Sequence, residues 1–130
     1  MDKEILKKVY DLAKIRHISY SSEEGSNCSV SLAEGIDVKY NRKEESELFQ
    51  YLDSLTYEQN LMILTIAYIG RGDCYEEFEK HKDIQKIYTD MLDYVRETFP
   101  NNEVTILQIH QKAPLDEYLK KGFELLEIKI

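Results

Sequence analysis

The residues best suited to chemistry lie close together, in the stretch Gly70-Arg71-Gly72-Asp73 and at nearby Tyr75. An arginine guanidinium can hold a carboxylate or a phosphate through two parallel hydrogen bonds. The first backbone N–H groups of a following helix could complete an anion site. These residue types therefore allow a ligand site formed by Arg71, Asp73 and Tyr75.

The same stretch is also typical of a tight turn between two helices. Glycine readily adopts the left-handed backbone that ends a helix, which suits Gly70, and Gly72 provides a second permissive position. Asp73 is a good N-cap for the next helix, and Arg71 could brace the junction through an ion pair. Because turn and capping roles account for every residue type present, we favour the structural interpretation.

The other potential ligands and nucleophiles do not form a recognisable motif. Glu77 and His81 have the spacing of neighbours on a helix, but no second pair completes a metal site. Cys74 follows the glycine-rich stretch, where a helix N-terminus could lower its pKa, but the nearby carboxylates of Glu76 and Glu77 oppose this. The sequence predicts no metal site, no cofactor and no catalytic residue.

The apolar stretch Leu61–Ile69 is the element around which the chain is organised. Thr56 and Gln59 precede it with the spacing of a capping box, in which each side chain bonds to the other's backbone N–H. A segment that is apolar on all sides is buried by its neighbours. Four β-branched residues within it leave a buried strand as the competing interpretation, but its length and the capping box favour a helix.

Apolar spacing predicts the remaining elements. Helices are expected over residues 3–16 and 43–55, over 73–99 as one helix or as two broken near His81–Asp83, and after Pro114. Residues 103–112 fit a short helix or a strand. Between the first two helices, residues 17–43 form a long insertion of polar and turn-forming residues. Within it, residues 28–41 fit a small β-hairpin or an irregular loop. We therefore expect one all-α domain over residues 1–130, a compact bundle of five to seven helices around a buried central helix.

Composition narrows the class of partner. The chain of 130 residues has a net charge of −8 and a pI near 4.9. Such an acidic balance disfavours nucleic acid, which requires basic patches, and suits a basic protein. No basic amphipathic stretch indicates a membrane surface. The two cysteines do not form a disulfide framework and the N-terminus has no apolar signal core, so we expect a cytoplasmic protein.

Two motifs resemble those of an uncharacterised bacterial family of small helical proteins, domain-of-unknown-function family 3775. The first is Y-I-G-R-G-D at residues 68–73, after the lead-in L-x-x-L-T-Y-E-Q-N-L from Leu52 to Leu61. The second is P-L-D-E-Y-L-K-K-G at residues 114–122. The chain departs from the family at Tyr68, where Trp is expected, and at residues 110–112, where Leu-Leu-Gly is expected. The resemblance implies a helical fold and carries no established activity.

Two functional hypotheses follow. The first is a non-enzymatic cytoplasmic protein that acts by binding another protein, with a basic partner favoured by the charge. The second is a protein that binds a small molecule or anion at the Gly70–Asp73 loop, either as a binding protein or as an enzyme. A monomer and a homodimer are both compatible with a bundle of this size.

Overall fold

The computed structural model describes residues 2–31, 47–80, 83–112 and 114–129. Over these residues every regular element is a helix, which confirms the all-α fold class. The helices are α1 (Lys3–Ser31), α2 (47–53), α3 (Tyr57–Arg71), α4 (Tyr75–Lys80), α5 (Ile84–Thr98), α6 (Asn102–Gln111) and α7 (Leu115–Leu125). None of the helices in these ranges is long and apolar enough to cross a membrane.

The first helix is longer than predicted. The loop expected from residue 17 is corrected over residues 17–31, which continue α1 to Ser31. Serine and asparagine lower helix propensity by only fractions of a kcal/mol, and no proline in this stretch breaks the helix. The β-hairpin considered for residues 28–41 is not supported at 28–31, and the rest of that segment lies outside the described residues.

Helix α3 begins with the predicted capping box. The N–H of Gln59 donates to Thr56 Oγ1 at 3.1 Å, and the N–H of Thr56 donates to Gln59 Oε1 at 2.8 Å. These bonds satisfy donors that the first turn of a helix leaves without partners. Every α3 residue from Asn60 to Ile69 except Met62 is buried, and the helix packs against α5, α6 and, most extensively, α7.

The prediction for Gly70 was wrong, because this glycine lies inside α3. The left-handed residue that ends the helix is Gly72, with φ of 107°. Gly70 instead lies where α3 crosses α7: a Cβ at this position would be 1.7 Å from the carbonyl oxygen of Tyr118 and 2.7 Å from the N of Gly122. A Cβ at Gly122 would in turn be 2.5 Å from the carbonyl oxygen of Ile66. The two glycines therefore allow the two backbones to approach closely.

In the C-terminal half, the structure decides between alternatives that the sequence left open for two segments. Residues 102–111 form helix α6, capped by the side chain of Asn101, which accepts from the N–H of Val104 at 2.9 Å. The segment expected as one helix or two consists of α4 and α5, and Asp83 caps α5 by accepting from the N–H of Lys86 at 3.2 Å. Residues 81 and 82, between them, lie outside the described residues.

Candidate functional site

The structure brings Arg71 and Asp73 into direct contact at the corner between α3 and α4. The left-handed residue Gly72 ends α3 directly before Asp73. Arg71 Nε donates to Asp73 Oδ1 at 3.0 Å and Nη2 donates to Oδ2 at 2.9 Å. This is the bidentate pairing expected of a guanidinium, with the acceptor supplied by the same loop. Hydrogen bonding to Asp73 is the main reason that the pKa of Arg71 is raised.

The ring of Tyr68 joins this ion pair to the end of α6. The guanidinium carbon of Arg71 lies 4.6 Å from the ring centroid of Tyr68, and Lys112 Nζ lies 4.8 Å from it. Both distances are within the range of cation–π attraction. Burial, followed by the charge of Arg71, lowers the pKa of Lys112. Tyr68, Arg71, Asp73 and Lys112 form what we call the corner cluster.

Lys112 is positioned by a residue far away in the sequence. Arg16 of α1 is 4% exposed, and its Nη1 and Nη2 donate to the carbonyl oxygens of His110 and Lys112 at 3.0 and 2.9 Å. These carbonyls belong to the end of α6, where a helix lacks donors of its own. The buried guanidinium thus completes the C-terminus of α6 and fixes the backbone beside the corner cluster.

Next to the corner cluster is a cavity of about 220 Å³, which we call the acidic pocket. Three carboxylates, a thiol, two apolar side chains and a tyrosine line it: Asp73, Glu77, Asp90, Cys74, Ile87, Met91 and Tyr94. Asp73 belongs both to the pocket and to the corner cluster. The tyrosine of the lining, Tyr94, is 58% exposed, so its ring is accessible from solvent.

The acidic pocket is suited to holding a cation and poorly suited to nucleophilic chemistry. Burial, followed by the charges of neighbouring carboxylates led by Glu77, raises the pKa of the Cys74 thiol to about 11. The thiol is therefore protonated at neutral pH, whereas the thiolate is the reactive form. Within the described ranges, no three His, Cys, Asp or Glu side chains are grouped as metal ligands.

The sequence predicted part of this site. It selected Arg71 and Asp73, which are paired, and Tyr75, which is the first residue of α4 and is 66% exposed. It missed the contribution of α5, although helical spacing from Ile87 to Asp90, Met91 and Tyr94 places these residues on one face. It also missed Lys112, for which no local signal exists, because its contact with Tyr68 depends on how α6 packs.

The fold and the site define an all-helical protein with an acidic pocket beside an arginine–aspartate corner. Comparisons with protein-family models, with curated proteins and with solved structures gave no match.

Proposed function

We propose that the chain is a non-enzymatic cytoplasmic protein that binds a basic segment of another protein, with a lysine or arginine of that segment in the acidic pocket. The observation that carries this proposal is the lining of the pocket, where the carboxylates of Asp73, Glu77 and Asp90 are combined with apolar side chains. In this proposal the bundle is organised around α3, which presents Asp73 at its C-terminal corner.

The two kinds of lining match the two parts of a long cationic side chain. The aliphatic stem of lysine or arginine favours apolar surface, while its charged head favours carboxylates. Ile87 and Met91 of the lining offer the first. The second is offered by Glu77 and by Asp73 and Asp90, which also pair with Arg71 and Lys86. The ring of Tyr94 can add a cation–π contact.

Size favours a side chain over a metabolite. The cavity of about 220 Å³ is smaller than the roughly 300–1,000 Å³ that is usual for small-molecule sites. The net charge of −8 would also attract a basic partner and accelerate association. Exposed tyrosines such as Tyr75 and Tyr94 are typical of protein interfaces.

An array of lysine- and arginine-rich peptides, read by fluorescence anisotropy with the full chain, tests this proposal. The double variant Glu77→Gln/Asp90→Asn removes two charges from the pocket. Glu103→Gln/Glu124→Gln removes two exposed charges elsewhere and is the matched control. We expect the pocket variant to weaken peptide binding about tenfold, or about 1.4 kcal/mol, and the control to change it little. Equal weakening by both variants, or no binding by any basic peptide, would refute the proposal.

A second function, binding of a small anion at the corner cluster, has one observation in its favour. Arg71 and Lys112 converge on the ring of Tyr68, and only Asp73 within the cluster offsets their two charges. An anion would compete with Asp73 for the guanidinium of Arg71. For this reason we give the function second place.

One variant moves the two functions in opposite directions. Asp73→Asn removes a carboxylate from the acidic pocket and weakens the interaction of residue 73 with Arg71. If the protein binds a basic peptide, this variant should bind the peptide less tightly. If it binds an anion, isothermal titration with inorganic phosphate should instead show tighter binding.

We also propose that the chain belongs to the family whose two motifs it resembles, and the arrangement of these motifs supports this. Gly70 belongs to the first motif and Gly122 to the second, and the two lie at the same α3–α7 crossing. Two separate motifs would then be the two sides of one helix contact. Related chains should carry small residues at both positions, and a bulky residue at either position would contradict this explanation.

A further inference from the structure

We propose that a groove along the N-terminal half of α1 binds an acidic segment of a partner protein, independently of the acidic pocket. The α1 groove has a volume of about 550 Å³. Four lysines, two carboxylates and a leucine line it: Lys3, Lys7, Lys8, Lys129, Glu4, Asp11 and Leu12.

Charge complementarity identifies the occupant. The described residues of the lining carry a net charge of +2, whereas the whole chain has a net charge of −8. The groove is therefore a basic region on an otherwise acidic protein. Lys7 and Asp11 form an exposed ion pair at 3.1 Å, and Lys8 Nζ lies 5.2 Å from the ring centroid of Tyr51. Exposed pairs of this kind hold a side chain only weakly, so these lysines can exchange partners.

The spacing of the lysines in the lining fits a polypeptide. Lys3 and Lys7 are four residues apart on a helix, which separates them by one turn, or about 5–6 Å. Carboxylates two apart on an extended strand or four apart on a helix have a similar spacing. Leu12 is half-buried and, with the aliphatic stems of the lysines, gives the partner an apolar contact.

The same features argue against an anionic membrane or a nucleic acid as the partner of this groove. A helix that binds a membrane inserts an exposed apolar face, but the apolar face of α1 is already buried in the core at Leu6, Val9 and Ala13. A phosphate backbone requires a continuous basic surface, and Glu4 and Asp11 interrupt this one.

The test uses labelled acidic peptides of about 15 residues, with glutamates two or four apart beside leucines, and fluorescence anisotropy with the full chain. Lys3→Glu/Lys129→Glu reverses two charges in the groove. Lys120→Glu/Lys121→Glu reverses two exposed charges on α7 and is the matched control. We expect binding that weakens with salt, falls roughly tenfold in the groove variant and stays near the wild-type value in the control.

Four results would overturn the proposal. The first is that no acidic peptide binds, and the second is that both variants weaken binding equally. The third is binding to vesicles containing phosphatidylserine with an affinity above that for every peptide. The fourth is self-association at rising protein concentration that the groove variant abolishes, since a second copy would then be the occupant. Circular dichroism of both variants verifies that they are folded. Because these peptides are acidic and those for the acidic pocket are basic, the two proposals fail separately.

Discussion

Replacing Gly70 by alanine gives the most direct test of the helix crossing. By helix propensity alone the change should stabilise α3, because alanine is favoured over glycine by about 1 kcal/mol inside a helix. The structure predicts the opposite result. The added Cβ would lie 1.7 Å from the carbonyl oxygen of Tyr118, and real contacts of a Cβ essentially never fall below 3.0 Å. The obstacle is backbone, so no side-chain rotation relieves it and α3 and α7 must separate by more than about 1 Å.

The size of the effect follows from what that separation disturbs. Overpacking a well-packed core costs about 1–3 kcal/mol, and we expect the upper end because α3 and α7 form the most extensive helix contact among the described helices. With a urea slope of about 1–3 kcal/mol per molar, a loss of about 3 kcal/mol lowers the unfolding midpoint by about 1–3 M. A domain of typical stability, about 5–15 kcal/mol, would stay folded in water and remain measurable.

Urea unfolding followed by far-UV circular dichroism provides the assay, with two companion variants. Gly122→Ala should also destabilise, but less, because its nearest backbone contact would be 2.5 Å and one of its other contacts is a side chain of Ile66. Gly72→Ala meets nothing within 4 Å, so its cost is limited to the strain of a positive φ, about 1–2 kcal/mol. If Gly70→Ala unfolds at the wild-type midpoint or above it, the close crossing is wrong.

Four further outcomes are expected. Thr56→Ala should lose about 1 kcal/mol in urea unfolding, because the capping bond at the start of α3 is removed, and a loss near zero would contradict the cap. In a variant without the other cysteine, alkylation of Cys74 in the folded protein should remain slow at pH 8 and rise toward a midpoint near pH 11. Because the pKa of the thiol in the folded protein is above its unfolded value, the thiol's contribution to stability is complete below about pH 9 and declines as pH rises through 11. An alkylation midpoint below pH 9 would be inconsistent with the buried thiol. Arg16→Ala should lose about 2–4 kcal/mol in the same unfolding assay, since two part-buried carbonyls lose charged donors, and a loss below 1 kcal/mol would contradict this role. Arg71→Gln should tighten binding of basic peptides a few-fold by releasing the carboxylate of Asp73, whereas weaker binding by a folded variant would show that Asp73 must be held by Arg71 to bind.

Features that depend on residues nearby in the sequence could be predicted from the sequence. The capping box at Thr56 and the burial of the stretch that follows it both follow from periodicity and local hydrogen bonding, whereas residues 103–112 fitted either a short helix or a strand. Tertiary contacts decided the rest. Gly70 has the composition of a helix end, but its role is set by Tyr118 and Gly122 on another helix.

The first helix shows the opposite error, in which weak local signals were given too much weight. Residues 17–31 contain serines, asparagine and glycine, each of which disfavours a helix slightly and none of which forbids it. A loop prediction from such residues assumes that small preferences add up to a break. Without a proline, the backbone hydrogen bonds of α1 can continue through them, and they do so to Ser31.

Asp73 links the structural and functional interpretations of the corner, which the sequence presented as alternatives. Both of its oxygens accept from Arg71, which holds the turn at Gly72. The same carboxylate lines the acidic pocket with Glu77 and Asp90. A carboxylate bound to a guanidinium still has lone pairs for a second donor, so one residue can brace the turn and contribute to a cation site. The ion pair with Arg71 therefore does not prevent Asp73 from contributing to binding.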